Sequence, residues 1–462
     1  MNKQAWTEAA LLTTGWAKNV LLEWQENGIL VDVRSNCDAP AYCHVLPGPV
    51  IPGIPNLHSH AFQRGFSGLA EFRAHAADSF WSWRNLMYRF AARIQPEQLE
   101  AIAIWLYVEM LEAGYTSVCE FHYLHHDVTG HQYAESQVLS SALLRAARQA
   151  GIGMTLLPVL YQHSNFGGQP PTDGQRRFVT STDDMLRLLE RLRVECSEQN
   201  AQLGLAPHSL RAVTPDSLRE TISGFDEINS LAPIHIHIAE QTKEVDDCIT
   251  WSGQRPVQWL LDALPVNERW CLVHATHMTP EEALAAARSG AVAGLCPTTE
   301  ANLGDGIFDM EHWRQGKGRW GIGSDSHVCV NAAEELMLLE YSQRLANRRR
   351  NILAEKSQHH VASAAVLAAV SGGAQAAGRP VDGLRPGQLA DFIVLDTEHV
   401  ALSRLTHCDM LSAHVFSSSR SSAIGQVWQS GMCRVEGGRH NLRHEAAVRF
   451  TEARNCLLNA QG

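Results

Sequence analysis

This sequence of 462 residues contains no apolar run of the length that crosses a membrane, which is about 18 residues. Its first residues, MNKQAWTEAALLTTGW, lack the continuous apolar stretch of a secretion signal. No long run of lysine and arginine offsets the formal net charge of −11, so a nucleic-acid partner is not expected. These absences predict a cytoplasmic protein that binds neither membranes nor nucleic acids.

Cysteine pairing motifs are also missing. The 11 cysteines include no CxxC pair, and Cys119, Cys271 and Cys296 lie in apolar, strand-like runs. This pattern favours reduced, buried thiols over a disulfide framework. With 45% hydrophobic residues, the chain can form one large core and a second, smaller domain.

The two ends of the chain have β patterns. NVLLEW and ILVDVRS flank Asn27-Gly28, a strong turn signal, and DGLRPGQLADFIVLD and SSAIGQVWQSGMCRVEGG follow near the C-terminus. The simplest arrangement places both ends, residues 1–50 and 375–462, in one small β-sandwich domain.

Between these ends, residues 51–374 alternate helical runs with short apolar strands. One example is TPEEALAAARSG, where Thr279 and Glu282 form a capping box before the strand AVAGLCP. Counting VIPGIPNLHSH as the first strand gives eight strands, each followed by a helix. The fold class is therefore α/β, and the count predicts a TIM-type (β/α)8 barrel.

Polar side chains follow four of the predicted strands. The carboxyl ends of barrel strands meet at one mouth of the barrel, so these residues should converge there. Side chains two apart on a strand share a face, as in PNLHSH and PIHIHIAE. The residues at these ends are His58, His60, His235, His237, Glu240, His274 and Asp325.

Each of these residues taken alone also fits a structural role. Asp325 could cap a helix, His274 could be structural, and His235 lies deeper than His237 and fits a hydrogen-bonded core position. Four strand ends carrying suitable ligands nevertheless favour one shared site. Three imidazoles and a carboxylate, with one position left for water, suit Zn²⁺ or Fe²⁺.

The same motifs, with GIGSDS, LVHATH and GLRPGQLADFIVLD, resemble the amidohydrolase superfamily over essentially the whole chain. The resemblance implies that His58, His60, His237 and Asp325 bind the metal and that His274 hydrogen-bonds a water ligand. The fourth strand, AQLGLAPHSL, lacks the bridging lysine of binuclear members, so one divalent ion is expected, zinc rather than iron. A homodimer is the common assembly in this superfamily.

The expected chemistry follows from these residues. A divalent metal lowers the pKa of bound water from 15.7 to about 7–9, and Asp325 can accept the proton. Hydroxide then attacks an sp² carbon that bears nitrogen, and Glu240 carries a proton to that nitrogen. Since the His-x-x-Glu step resembles the deaminating members, hydrolysis of a C–N bond with release of ammonia is predicted.

The barrel loops suggest the substrate. Two loop arginines, Arg84 and Arg211, would suit an acyclic substrate with two carboxylates if they lie near the metal. Ordinary ion pairing is the alternative role for each arginine. The motifs HSHAFQRG, FWSWRNLMY, EFHYLHH and APHSLRAV resemble the superfamily branch that deiminates N-formimidoyl-L-glutamate in histidine degradation. The resemblance implies that four residues hold the glutamate carboxylates and that Gln63 lies near the formimidoyl group. The four are Arg84, Tyr123, His208 and Arg211.

Two other functions remain open from the sequence. The same machinery could deaminate an aromatic heterocycle of the guanine, cytosine or thioadenosine type. A barrel without activity could instead serve as a binding scaffold, but such proteins usually lose ligands, and here none is missing.

Overall fold

The computed structural model describes residues 2–71, 80–417 and 422–459. The chain begins with strands that belong to the small domain. They are β1 (Lys3–Leu12), β2 (Gly15–Trp24), β3 (Leu30–Arg34), β4 (His44–Val45) and β5 (Val50–Pro52). β1 and β2 form a long antiparallel hairpin, and β3 pairs with the far side of β2. The predicted β structure of this segment is confirmed.

Nine further strands form a parallel sheet. They are β6 (Ile54–Ser59), β7 (Tyr115–His122), β8 (Gly153–Leu160), β9 (Gln202–Leu203), β10 (Ala206–Pro207), β11 (Ile234–Ile238), β12 (Trp270–His274), β13 (Val292–Leu295) and β14 (Arg319–Ile322). The strand order is β10-β8-β7-β6-β14-β13-β12-β11, and β9 pairs with β8. Because β9 and β10 are two pieces of one strand position, the sheet has the eight positions of a TIM-type barrel.

Isolated bridges close this sheet into a barrel. Leu205 pairs with Ile234 and Ser209 pairs with His237, which joins the β10 edge to β11. The backbone N–H of His237 also donates to the carbonyl of His208 at 3.1 Å. The predicted barrel is confirmed, and its closure brings strands from distant parts of the sequence to one mouth.

The predicted first strand, VIPGIPNLHSH, is divided between the two domains. β5 pairs with β1 and with a C-terminal strand, whereas β6 begins at Ile54 in the barrel. The division falls at Gly53, whose N–H donates to the Asp391 carbonyl. A Cβ at Gly53 would overlap the Thr116 side chain, so only glycine allows this close approach.

Helices cover the outside of the barrel. They are α1 (Phe80–Ala91), α2 (Pro96–Glu112), α3 (Val138–Ala150), α4 (Thr182–Glu198), α5 (Pro215–Asn229), α6 (Thr242–Ser252), α7 (Pro256–Ala263), α8 (Pro280–Arg288), α9 (Pro297–Leu303), α10 (Met310–Gln315), α11 (Ala332–Asn347) and α12 (Val361–Ala377). The capping box predicted for α8 is present, since Thr279 accepts from the N–H of Glu282. Among the described residues, no helix combines the length and apolar character needed to cross a bilayer.

The C-terminal segment returns to the small domain. It contributes β15 (Phe392–Leu395), β16 (Ile424–Gln429), β17 (Met432–Glu436) and β18 (Arg439–His440). These strands extend the first sheet in the order β18-β17-β16-β15-β5-β1-β2-β3. Trp24 on β2 nevertheless packs edge-on against Trp428 on β16, with ring centroids 6.0 Å apart. The sheet therefore curves over its own core, as in the sandwich predicted from the sequence.

This segment also contains two helices that the sequence pattern did not predict. They are α13 (His407–Phe416) and α14 (Arg443–Asn459). Phe450 on α14 lies 5.9 Å from the Trp105 ring on α2, and Phe416 on α13 stacks on Tyr341 of α11 at 5.8 Å. Both helices thus pack against the barrel helices.

Replacing Gly372 by alanine should destabilise the barrel. Gly372 lies on α12, and a Cβ there would overlap the carbonyl of Trp320 on β14, which is backbone and cannot rotate away. We expect a loss of about 1–3 kcal/mol in the free energy of unfolding, measured by denaturant titration. Ser371→Ala, one residue earlier on the same helix, is the control. Equal stability of the two variants would show that α12 does not pack this tightly.

Candidate active site

Four side chains converge at the carboxyl end of the barrel strands. His58 and His60 lie at the end of β6, His237 lies on β11, and Asp325 follows β14. Nε2 of His58 is 3.1 Å from Nε2 of His60 and 3.0 Å from Nε2 of His237. Oδ1 of Asp325 is 3.4 Å from His58 Nε2 and 3.2 Å from His60 Nε2. We refer to these four buried side chains as the His/Asp quartet.

The geometry of the quartet fits a divalent metal ion. His60 donates from Nδ1 to the Phe121 carbonyl at 2.8 Å, and His237 donates from Nδ1 to the His208 carbonyl at 3.0 Å. Nε2 of His60 and Nε2 of His237 are then both acceptors, and His58 can donate to only one of them. Facing lone pairs repel, whereas a cation between them binds both. The separations resemble the roughly 3–3.5 Å between ligands around tetrahedral zinc.

The backbone around Asp325 holds its carboxylate in the quartet. Its N–H donates to the His58 carbonyl at 3.0 Å, and its own carbonyl accepts from His60 N–H at 3.3 Å. Burial would raise the pKa of Asp325, but the neighbouring His58 and His60 hold it well below its usual range. The carboxylate is therefore ionised. The alternative role as a helix cap is excluded for α11, where Asn331 is the N-cap.

His274 lies beside the quartet between carboxylates. Its Nε2 is 3.8 Å from Glu240 Oε1 and 3.9 Å from Asp325 Oδ2, and its Nδ1 is 3.3 Å from Glu300 Oε1. Burial alone would lower the pKa of His274, but these three carboxylates, Glu240 first, offset it and raise the pKa to about 10. The carboxylates thus favour the protonated ring, which donates from Nδ1 to Glu300. Cys296 is a further buried neighbour, with its Sγ within 4.8 Å of His274 and Asp325 ligand atoms.

Glu240 is held through its backbone by Glu244. The Glu244 carboxylate accepts from the N–H groups of Ala239 and Glu240 at 3.1 and 3.2 Å. The same carboxylate lies 4.0 Å from Arg211 Nε, so it links the proposed proton carrier to a proposed substrate arginine. Burial raises the pKa of the Glu240 carboxyl, which favours a proton on it. Glu244 was not predicted, because its role depends on loop contacts at α6.

The two arginines predicted in the loops both lie at this pocket. Arg84 donates to the Tyr161 hydroxyl at 3.0 Å and lies over the Tyr88 ring at 5.2 Å. Arg211 is buried, with 6% of its surface exposed. After burial, Arg211 and Arg84 are the largest causes that lower the pKa of His208 well below its usual range. The two guanidiniums therefore surround one neutral imidazole.

The structure brings all ten predicted residues of the pocket wall together. Gln63 donates to the Tyr123 hydroxyl at 2.9 Å, and His58 lies fully buried beneath them. The walls also include Trp83, Met87 and Leu303, which were not predicted. The predicted wall residues are His60, Gln63, Arg84, Tyr123, His208, Arg211, His237, Glu240, His274 and Asp325. His235 stays outside the pocket and bonds from Nε2 to the Ala376 carbonyl at 2.8 Å, as predicted for a core residue.

A closed barrel with three imidazoles and a carboxylate at its carboxyl mouth defines a barrel enzyme of the metal-dependent hydrolase class. The chain belongs to the amidohydrolase family, whose model matches residues 49–433. The predicted family and fold class are thereby confirmed.

Individual relatives agree with this membership. The chain is 50% identical over 453 residues to formimidoylglutamate deiminase of Pseudomonas aeruginosa, covering 98% of this chain and 99% of that protein. The crystal structure of an amidohydrolase from Brucella melitensis has a TM-score of 0.94 at 48% identity and covers 99% of this chain and 100% of that one. A zinc-bound adenosine deaminase from Xanthomonas campestris shares the fold, with a TM-score of 0.82 at 19% identity and coverage of 99% and 98%.

The quartet and its near neighbour His235 provide a matched test of metal binding. His237→Asn should lower the affinity for Zn²⁺ at least 100-fold, because one of its ligands is replaced by a weaker one. His235→Asn, two residues earlier on β11, should keep the metal, since its ring faces Ala376. Zinc content after dialysis against a chelator gives the readout. Equal retention of zinc by the two variants would remove His237 from the metal site.

Proposed function

We propose that this enzyme hydrolyses N-formimidoyl-L-glutamate to N-formyl-L-glutamate and ammonia, using one divalent metal ion. The observation that carries the proposal is one pocket that combines two arginines with a metal-type site. Arg84 and Arg211 line it together with the quartet members His60, His237 and Asp325, and with Glu240 and His274. The 50% identity to a formimidoylglutamate deiminase over 98% of this chain supports the same substrate.

A metal site is supported by the quartet and by family membership, and we propose zinc as its occupant. His58, His60, His237 and Asp325 would hold it. When bound, the ion lowers the pKa of a water ligand and supplies hydroxide near neutral pH. Iron is the alternative, since histidine and aspartate ligands accept both metals.

The remaining residues orient the reactants and move protons. Asp325 is ionised and accepts the proton of the attacking water. His274 is held by Glu300 and directs its Nε2–H toward the space between Glu240 and Asp325, where it can donate to the attacking oxygen. Glu240 carries a proton to the amidine nitrogen, so that the nitrogen leaves as ammonia.

The two arginines of the pocket bind the glutamate part of the substrate. Guanidinium groups bind carboxylates bidentately, and Arg84 and Arg211 are placed to bind one carboxylate each. Tyr123 and His208 lie between the arginines and the quartet and offer hydrogen bonds. Gln63 donates to Tyr123, and its buried Oε1 has no hydrogen-bond partner among the described residues. We place this acceptor against the formimidoyl N–H.

Ammonia release distinguishes this function from deamination of a heterocycle. A flat, uncharged ring offers no carboxylates for Arg84 and Arg211 to bind, so it would gain less from this pocket. The zinc-loaded enzyme should therefore release ammonia from formimidoylglutamate with a kcat/KM at least 100-fold above that for guanine, cytosine or methylthioadenosine. A higher kcat/KM for any of the rings would overturn the proposal.

The role of Glu240 can be tested by an isosteric change. Glu240→Gln should lower kcat by a factor of about 10² to 10⁴, because the amide cannot carry the proton. Its zinc content should equal that of the parent, since Glu240 is not a proposed ligand. Glu281→Gln, an exposed residue on α8, is the control for the substitution itself. An active Glu240→Gln enzyme would contradict proton transfer by this residue.

Recognition of the dicarboxylate can be tested at Arg211. Arg211→Met removes the charge but keeps the aliphatic stem, so KM for formimidoylglutamate should rise about 10- to 100-fold, in line with the roughly 1.5–3 kcal/mol of a charged hydrogen bond. Arg219→Met, an exposed residue on α5, is the matched control. An unchanged KM in steady-state assays would place Arg211 outside the substrate site.

The biological setting is part of the same proposal. The substrate belongs to histidine degradation, and we propose a cytoplasmic homodimer. All 11 cysteines are free, which supports a reducing compartment. Light scattering of the purified protein would measure its molar mass and so test whether it is a dimer.

A further inference from the structure

A cluster of buried carboxylates lies around His274. Glu240, Glu300 and Asp325 surround His274 at the distances given above, and Asp305 is a fourth carboxylate close by. One oxygen of Asp305, one of Glu240 and a ring nitrogen of His274 lie within 4.8 Å of one another. All three side chains are buried.

The backbone and one carboxylate oxygen of Asp305 are hydrogen-bonded, but its other carboxylate oxygen is not bonded by any described residue. Its N–H donates to the Glu300 carbonyl at 2.9 Å, and its carbonyl accepts from His277 Nε2 at 2.8 Å. Its Oδ1 accepts from the side chain of Gln241. Its Oδ2 is buried and has no hydrogen-bond partner among the described residues, although the residue is only 5% exposed. A buried carboxylate oxygen with no donor is costly, so Oδ2 is suited to a ligand that donates.

The neighbourhood specifies the kind of ligand. Burial and then the charge of Glu240 raise the pKa of Asp305 to about 9, so the pair holds a proton when no cation is bound, and a cation between the two carboxyl groups can replace that proton. The hydroxyl of Thr276 is also buried without a partner, and its methyl group lies near Gly306, the residue after Asp305. A small cation with several N–H donors suits these acceptors.

We propose that Asp305 and Glu240 form a binding site for the ammonium ion that the reaction releases. This inference rests on the proposed function. It adds a product site for the leaving nitrogen and a role for Asp305, which the proposed mechanism does not use.

The reaction supplies this ligand in a balanced way. The formimidoyl group binds as its protonated amidinium, whose terminal nitrogen already carries two hydrogens. Water adds its oxygen to the formimidoyl carbon, and both of its protons pass through Asp325 and Glu240 to that nitrogen. The C–N bond then breaks, its electron pair stays with the nitrogen, and the carbon becomes the formyl carbon of the product. The nitrogen leaves beside Glu240 with four hydrogens, as ammonium. No oxidant, reductant or further reactant is needed.

Product inhibition tests the site directly. The zinc-loaded enzyme is assayed for formylglutamate formation with added ammonium chloride, at ionic strength matched with sodium chloride, and with tetramethylammonium chloride as a cation that cannot donate. We expect inhibition by ammonium only. In Asp305→Asn, the inhibition constant for ammonium should rise at least tenfold, whereas that for formylglutamate should change less than threefold. Asp309→Asn, on the same loop but capping α10, is the matched control.

The outcomes separate the two proposals. Failure of the parent enzyme to act on formimidoylglutamate would refute the proposed function itself. Normal turnover with an equal ammonium inhibition constant in Asp305→Asn and parent would refute only the ammonium site. If Asp305→Asn does not fold, the parent enzyme still decides, because equal inhibition by ammonium and tetramethylammonium would overturn the site.

Discussion

The convergence of three imidazole nitrogens on one buried carboxylate is the constraint on which the site depends. His58, His60 and His237 bring their Nε2 atoms to about 3 Å separation, and backbone carbonyls fix the tautomers of two of them. Such an arrangement is unfavourable without a cation, because lone pairs face one another among buried side chains. The barrel makes it possible, since strands remote in sequence end at one mouth and lock each ring between neighbouring strands.

A second constraint is the presence of both charges in one pocket. Two arginines and several carboxylates line it, in a protein whose overall charge is −11. The arginines suit a glutamate skeleton, and the carboxylates suit an amidine and the ammonium formed from it. Glu244 links the two groups, because its carboxylate contacts Arg211 and the backbone of Glu240. Substrate binding and proton transfer thus share one buried carboxylate.

The alternation of eight strands with helices was sufficient to predict the barrel. His235 and His237 share a face of their strand, and the deeper position of His235 separated it from the metal site. The strand ends then predicted the pocket wall. These patterns could not predict which loop residues contact one another. Asp305 and Glu244 have no periodic position, and their partners lie on other loops or at the start of a helix. The division of the first strand at Gly53 depends on the packing of Thr116, which no local pattern shows.

X-ray absorption spectroscopy of the zinc-loaded protein tests the central claim most directly. A single ion held by the quartet should show three imidazole nitrogens and one or two oxygens at about 2.0–2.2 Å, with no sulfur and no second metal. Scattering from sulfur would place the ion at Cys296, and fewer than three imidazoles or a metal–metal distance would contradict the quartet as a single-metal site.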